Sequence, residues 1–515
     1  MKRIFLYYII MPAAVIVSSC SQEFLNLTPD SEANAEDFYE TAEQFQQAVN
    51  GVYQTLRSTV NESGYLMGEM RSDNTHYDYY APDRGIHIIR RENIDDFLDD
   101  SQNQWTNDYF NNCYIGVSRA NTILDRIEEA DFEQEAKDPI IGETKFLRAY
   151  YYFNLVRYFG DVPLYLNEVS EQAEAFLPRS SVDEVYAVII NDLEDAISKL
   201  PDPSFPQNGR ANKGSASTLL AEVYMTRHDF AAAEPLLRSV TTMGYSLLSN
   251  YEDVYALGNK NSRESIFEIQ FMQGDQGQQS MFTYWFIPKS TNVEVITGVT
   301  SNTLNYGGWN VPTGDMMDAY EEGDTRKGAS IGIAQGVIGG DGNFNIESVE
   351  SSEGYVQPPG KTAKPFVRKY LHPHNRERNT DDNWPVYRYS NVLLLLAECL
   401  NESGNPGEAI ELVNQVRQRA GASLSPVTVT DQVALRDAIA HERRVELAFE
   451  NHRWHDLVRT GKAIEVMNAH GEEMKDRYGF ISRNAYQVNE NRLIFPIPYL
   501  ELQLNNLLTQ NPGYN

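Results

Sequence analysis

Leu220-Ala221, with Tyr224 and then Ala233 behind it, returns later in the chain as Leu396-Ala397, with Leu400 and then Ala409. The two alanines of each copy stand twelve residues apart. That offset suits a tetratricopeptide unit, a helical hairpin of about 34 residues in which small side chains at two fixed positions let the paired helices approach closely. Units of this kind stack into a rigid solenoid wall. The recurrence therefore predicts a mostly α protein on a tetratricopeptide-like helical solenoid scaffold.

The surrounding sequence supports the same reading. Apolar residues recur with helical spacing over Phe38 to Leu56, Tyr109 to Ile127, Ile140 to Tyr158, Val182 to Leu200, Asn212 to Thr226 and Ala231 to Met243. The pattern resumes over Asn391 to Leu400, Pro406 to Ala420, Asp431 to Phe449 and His452 to Asn468. Gly160, Pro163, Pro201, Pro203, Gly244, Gly404, Gly421 and Gly461 supply the stops. Between the two copies the texture changes, since residues 258 to 360 hold 16 of the 33 glycines. A long loop-rich insertion containing short β strands is expected over 258 to 390, with Ser265 to Phe271 alternating as a strand. A second loop-rich stretch is expected from Asn61 to Gln104.

The 515 residues carry 43 Lys+Arg against 73 Asp+Glu, a formal charge of -30. Such a field repels a polyanion such as nucleic acid, and no Lys/Arg cluster offsets it. At the N-terminus Lys2 and Arg3 precede an apolar run from Ile4 to Val17 that ends in Val17-Ser18-Ser19-Cys20. The run is too short for a bilayer span and reads as a secretory signal over residues 1 to 19. Cys20 after small residues resembles a bacterial lipobox, which implies acylation of its thiol and cleavage before it. Two acyl chains hold a protein stably on a membrane. Cys113 and Cys399 fall inside apolar helical patterns and are expected to be free and buried.

Catalytic motifs fail on context. Gly328-Ala329-Ser330-Ile331-Gly332 has the spacing of a nucleophile elbow but lacks a buried strand before it and a helix after it. Residues 354 to 362 have one residue too many for a phosphate loop, and Pro358 and Pro359 remove amide donors. His441, His452 and His455 are interleaved with Arg443, Arg444, Arg453 and Arg459, which would repel a metal ion. The sequence therefore nominates no cofactor, metal or catalytic residue.

Several motifs in order carry a resemblance to a known family. Arg148-Ala149-Tyr150-Tyr151-Tyr152-Phe153 runs into Tyr158-Phe159-Gly160-Asp161-Val162-Pro163-Leu164. Residues 442 to 450, Glu-Arg-Arg-Val-Glu-Leu-Ala-Phe-Glu, lead into Arg453-Trp454-His455-Asp456-Leu457-Val458-Arg459. The chain closes with Phe495-Pro496-Ile497-Pro498 and Gln510-Asn511-Pro512-Gly513-Tyr514. Together with the lipobox, Phe24-Leu25 and Gly51-Val52-Tyr53, these resemble the RagB/SusD family of outer-membrane nutrient-binding lipoproteins from Bacteroidetes. The resemblance implies a signal peptide at 1–19 and a SusD-like N-terminal region at 20–230 with the first repeats. It also implies a RagB/SusD C-terminal region at 258–515, comprising the insertion to 390, repeat helices over 391–468 and a tail. It further implies a surface-exposed, lipid-anchored protein of the outer membrane. Its partner would be a SusC-like TonB-dependent transporter, its ligand commonly a glycan, and its role non-catalytic. Capture of a peptide or glycopeptide is the alternative within the family, and a surface lipoprotein hydrolase the alternative outside it.

The shared motifs lie on scaffold helices, so ligand residues must be chosen on chemistry. Sugars offer apolar C–H faces to aromatic platforms and hydroxyls to flanking polar groups. Asp73, Asn74, Tyr77, Tyr79, Tyr80 and Arg84 supply both in one loop. Trp105, Trp285, Tyr306, Trp309 and Trp384 are the other candidates, with packing in the core or loops as the competing reading for each aromatic. Arg443, Glu446 and Glu450 are expected to pair along one helix at i+3 and i+4 spacing.

Overall fold

The computed structural model describes residues 38–301 and 306–514, so Cys20 and the lipobox lie outside the described residues. Helix α1 (Ala42–Ser58) opens with a capping box in which Thr41 and Gln44 exchange side-chain and backbone hydrogen bonds. It runs on as wider π turns over Thr59–Gly64 and Leu66–Met70. Strand β1 (Thr75–His76) and helix α2 (Ile86–Asp95) follow. The expected loop from Asn61 to Gln104 is thus partly helical. Its polar, glycine-containing sequence hid the π turns because they keep no 3.6-residue apolar period.

The scaffold continues with α3 (Gln104–Glu129), α4 (Gln134–Phe159), β2 (Val162–Pro163), β3 (Arg179–Ser180), α5 (Val182–Lys199), α6 (Lys213–Thr226) and α7 (Phe230–Thr241). Consecutive helices from α3 to α7 pack against one another. Where α3 crosses α4, a Cβ at Gly116 would meet the Tyr151 ring at 2.3 Å, so only glycine allows the approach. Arg148 of α4 locks three helices together. It forms a two-pronged pair with Asp192 of α5 at 2.8 Å and donates to Asn121 of α3 at 2.9 Å.

The insertion contributes β4 (Ser265–Ile269), α8 (Phe282–Phe286), α9 (Glu294–Thr297), β5 (Val311–Pro312), α10 (Gly314–Ala319), α11 (Thr325–Ser330), β6 (Ile331–Ile338), β7 (Phe344–Ser351), β8 (Thr362–Val367) and β9 (Trp384–Arg388). Antiparallel strands join in the order β7-β6-β8, and β4 pairs with β9. Ser330 ends a helix that a strand follows, the reverse of a nucleophile elbow, and it has no exposed surface.

The chain returns to helix in α12 (Tyr389–Glu402), α13 (Pro406–Ala420), α14 (Gln432–Glu446), α15 (Arg453–Arg459), α16 (Ala463–Arg477) and α17 (Tyr499–Leu504). The helix expected from His452 to Asn468 is two, α15 and α16, parted at Gly461 with φ +70. Helices α6 and α7 pair, as do α12 and α13, and α7 packs on α12. The two recurring hairpins are therefore neighbours across the insertion. Ala221, Ala233, Ala397 and Ala409 have no exposed surface, as the close-approach reading requires.

Pairing along the helix of Arg443, Glu446 and Glu450 does not occur. Helix α14 ends at Glu446, and left-handed Phe449 and Asn451 turn the chain so that Glu450 points elsewhere. Glu446 instead takes Arg388 at 2.9 Å, Arg326 at 3.1 Å and Arg419. Glu450 takes Arg388 and Lys369, each at 2.8 Å. Arg443 reaches Asp456 at 3.0 Å and Asn391 at 2.7 Å. Glu446 and Glu450 thus share Arg388 of the insertion, Glu446 also holds Arg419 of α13, and Arg443 reaches α12 and α15, which makes the motif a clamp on all of these. Cys113 and Cys399 are free and buried. Among the described residues no helix is long and apolar enough to cross a membrane.

Candidate ligand-binding site

Both loop-rich stretches meet at one place. Strand β1 pairs with β5, setting Thr75 against Pro312 and His76 against Val311. Beyond the strands Asp78 N–H donates to Gly308 O, Gly308 N–H to Ile287 O, each at 2.7 Å, and Trp309 N–H to Trp285 O at 2.9 Å. The chain can pass this closely because Gly307 sits at φ +90, where a Cβ would lie 2.4 Å from the Ile287 carbonyl oxygen. This backbone seam fixes the neighbouring side chains.

Three of the expected tryptophans converge here on a residue that the sequence did not nominate. The Arg91 guanidinium of α2 lies 3.9 Å from the Trp105 ring, 4.6 Å from Trp285 and 5.1 Å from Trp309. Trp105 Nε1 donates to His87 O at 3.2 Å and Trp285 Nε1 to Asn61 O at 3.0 Å, so both indoles are held by backbone. Tyr306, half-buried, stands edge-on to Trp285 at 5.4 Å, with Arg378 4.5 Å over its ring. Burial lowers Arg91 from its ordinary value, with the nearby Tyr65 and Glu62 acting in the opposite direction.

Next to this cage, Tyr79 stacks on Phe480 at 4.4 Å and 13° and carries Arg84 over its other side at 4.4 Å. Arg84 grips Glu92 with both terminal nitrogens, and these bonds raise its pKa. Since Glu92 follows Arg91 on α2, the Tyr79 group and the cage share one support. Tyr80 donates to Asn343 Oδ1 at 2.5 Å beneath Lys289, whose Nζ is 4.1 Å from its ring. Burial lowers the Lys289 pKa, and Asp83 partly offsets this.

Four candidates sit inside the scaffold. Asp73, 3% exposed, pairs with Arg453 through both oxygens at 2.8 Å and with Arg444 at 3.0 Å. Burial alone would raise its pKa, but the two arginines outweigh burial and hold the carboxyl well below the usual range. Asn74 donates to Glu69 Oε1 at 2.8 Å and accepts from Arg444 at 2.9 Å. Tyr77 is buried and donates to Asp96 at 3.1 Å. Trp384 is strand residue β9, stacked 5.4 Å from Tyr370. Trp105, Trp285 and Trp309 are buried too, at 7, 7 and 5% exposure, so of the expected platform only Tyr79, Tyr80, Arg84 and Tyr306 keep part of their surface open.

Arg91, Lys289, Arg378 and Phe480 were not expected. Phe480 lies beyond both loop-rich stretches, and the cations could not be told from solvated surface charge. The doublet Arg90-Arg91 in a run of Ile86, Ile88 and Ile89 was the one available signal, since an arginine on an apolar helix needs something to sit against.

Comparison with known proteins follows the same outline. Residues 263–514 match a family model described as the SusD family, and residues 23–225 match one described as starch-binding associating with outer membrane. A SusD-like protein of Formosa agariphila is 27% identical, with 97% of each chain covered. The starch-binding protein SusD of Bacteroides thetaiotaomicron is 23% identical, covering 77% of this chain and 76% of its own. A laminarin-binding SusD-like protein of known structure superposes with a TM-score of 0.72 at 28% identity, covering 92% of this chain and 100% of its own.

Proposed function

The chain belongs to the SusD/RagB family, and on that premise we propose that it captures an oligosaccharide at the cell surface and hands it to a SusC-like TonB-dependent transporter. One observation carries the reading: half-buried Tyr306 stands at the rim of a buried cage of Trp105, Trp285 and Trp309, where two distant loop stretches are sewn together. Aromatic rings flanked by hydrogen-bonding groups suit the alternating C–H faces and hydroxyls of a sugar. Relatives named for binding starch and laminarin support a glycan ligand. The protein is tethered to the outer membrane through acylated Cys20 and acts without catalysis, a view supported by the burial of Ser330 in its elbow-like motif.

The test is titration of the purified chain against a panel of oligosaccharides and peptides, with an assay for released reducing ends. Saturable glycan binding without release is expected. Peptide binding in its place would hand the function to the alternative ligand class, and release of reducing ends would make the protein a hydrolase. For the tether, Cys20→Ala should abolish labelling by a fatty-acid analogue. Co-purification with the transporter expressed from the same cells tests the handover.

A further inference from the structure

Arg91 is 5% exposed, yet among the described residues no carboxylate, carbonyl or hydroxyl accepts a hydrogen bond from it, and its Nε is fully buried without a partner. A guanidinium carries five N–H donors. Indole faces attract its charge but do not replace directed acceptors, and a buried donor left unsatisfied costs free energy. Other arginines buried as deeply each hold a carboxylate, even where, as in Arg71, Nε has no partner. Arg71 pairs with Asp99, Arg148 with Asp192, Arg326 with Glu442 and Arg388 with Glu450. In a chain with 73 acidic residues against 43 basic ones, a buried arginine without a carboxylate stands out.

A second guanidinium, exposed to solvent, adds positive charge at the rim. Arg378 lies over Tyr306, the ring that leans on Trp285, and it too has no carboxylate partner among the described residues. Of the acids, Glu62 is the one whose field reaches Arg91. A buried cation and a solvated one thus flank one aromatic pair, and the buried one carries the argument.

We propose that Arg91 reads an oxyanion on the ligand, so that the captured glycan is acidic and bears a carboxylate or a sulfate ester. The inference rests on the glycan-capture reading and sharpens it. Half-buried Tyr306 at the rim would meet the sugar ring while the guanidinium, held by the three indoles, takes two oxygens side by side, the geometry its fork matches best. The overall charge of -30 opposes approach of such a ligand, but exposed charges beyond about 8 Å are screened at physiological salt. A contact made inside the cage is screened far less.

The test is calorimetric titration of the full chain with three probes of matched length. These are a uronic-acid oligosaccharide, the same oligosaccharide after carboxyl reduction, and a sulfated neutral oligosaccharide. One acidic probe is expected to bind at least about tenfold more tightly than the reduced one, as a charge-assisted bond implies. Arg91→Met should erase that preference and Arg91→Lys should keep part of it. If the methionine variant fails to fold by circular dichroism, the wild-type ratio still decides. Equal affinity of wild type for the acidic and reduced probes would overturn the inference and leave glycan capture standing. No binding to any glycan, with binding to peptides, would overturn both.

Discussion

Trp105 and Trp285 share one cation, their rings lying 3.9 and 4.6 Å from the Arg91 guanidinium, although α3 carries the first and α8 the second. Neither ring is free to turn, because each indole N–H is bonded to a backbone carbonyl. The Trp285 bond reaches Asn61, so it also ties the insertion to the π turns that extend α1. The cage is thus built before any ligand arrives, and little ordering remains to be done on binding.

Tyr306 is the half-exposed member of this group and makes few scaffold bonds. Tyr306→Ala should lower affinity for the bound glycan about tenfold, roughly 1.4 kcal/mol. Stability should fall by only about 1 kcal/mol, the central value for a single substitution, since the half-buried ring packs on both hydrophobic clusters from the rim. Calorimetry on the variant, with a thermal melt beside it, checks both. Full affinity would move the ligand away from the cage.

Asp73 should behave in the opposite way. Removing its carboxylate leaves Arg453 without its carboxylate partner, while Arg444 keeps Asp315 at 2.6 Å. Breaking a buried pair from one side costs about 3–5 kcal/mol, so Asp73→Ala should unfold at markedly lower denaturant. Affinity measured below the melting temperature should hold. Wild-type stability with lost binding would return Asp73 to the ligand site.

These two residues mark what could be read from sequence and what could not. The helices were legible because apolar spacing is local, and the paired alanines located the repeats even across the insertion. Tyr79 and Asp73 look equally suited to sugar in sequence, both lying in one polar aromatic loop. Which of them faces solvent depends on Arg453, some 380 residues away in the chain, and no local pattern carries that. The partners of Glu446 and Glu450 were missed for the same reason, since i+4 spacing matters only while the helix continues, and α14 stops at Glu446.

The repeat contacts offer a stability test. Ala221 and Ala397 are fully buried where paired helices touch. Ala221→Leu and Ala397→Leu should each force side chains off their preferred rotamers at a cost of about 1–3 kcal/mol. Urea titration followed by circular dichroism measures it. Unchanged midpoints in both would show that the hairpins have slack at these positions.

Glu450 predicts how the fold responds to acid. Burial alone would raise its pKa, yet Arg388 and Lys369 outweigh burial and hold it at about 2, below the ordinary 4.5. A carboxylate with a depressed folded pKa stabilises the fold fully above its unfolded value, and this contribution fades as pH falls toward the folded one. The window is therefore pH 4.5 down to about 2, and the contribution of this group is on the order of 3 kcal/mol. Glu450→Gln removes the charge at every pH and should be least stable, relative to wild type, near neutrality. Below pH 4.5 the unfolded wild type takes up a proton that folded Glu450 refuses until about pH 2, which favours unfolding of the wild type alone, so the gap between the two melting temperatures should narrow steadily. Thermal melts of both proteins from neutral pH to about pH 3 give the answer. A gap that stays constant across that range would mean that Glu450 matters for its shape and hydrogen bonds rather than for its charge.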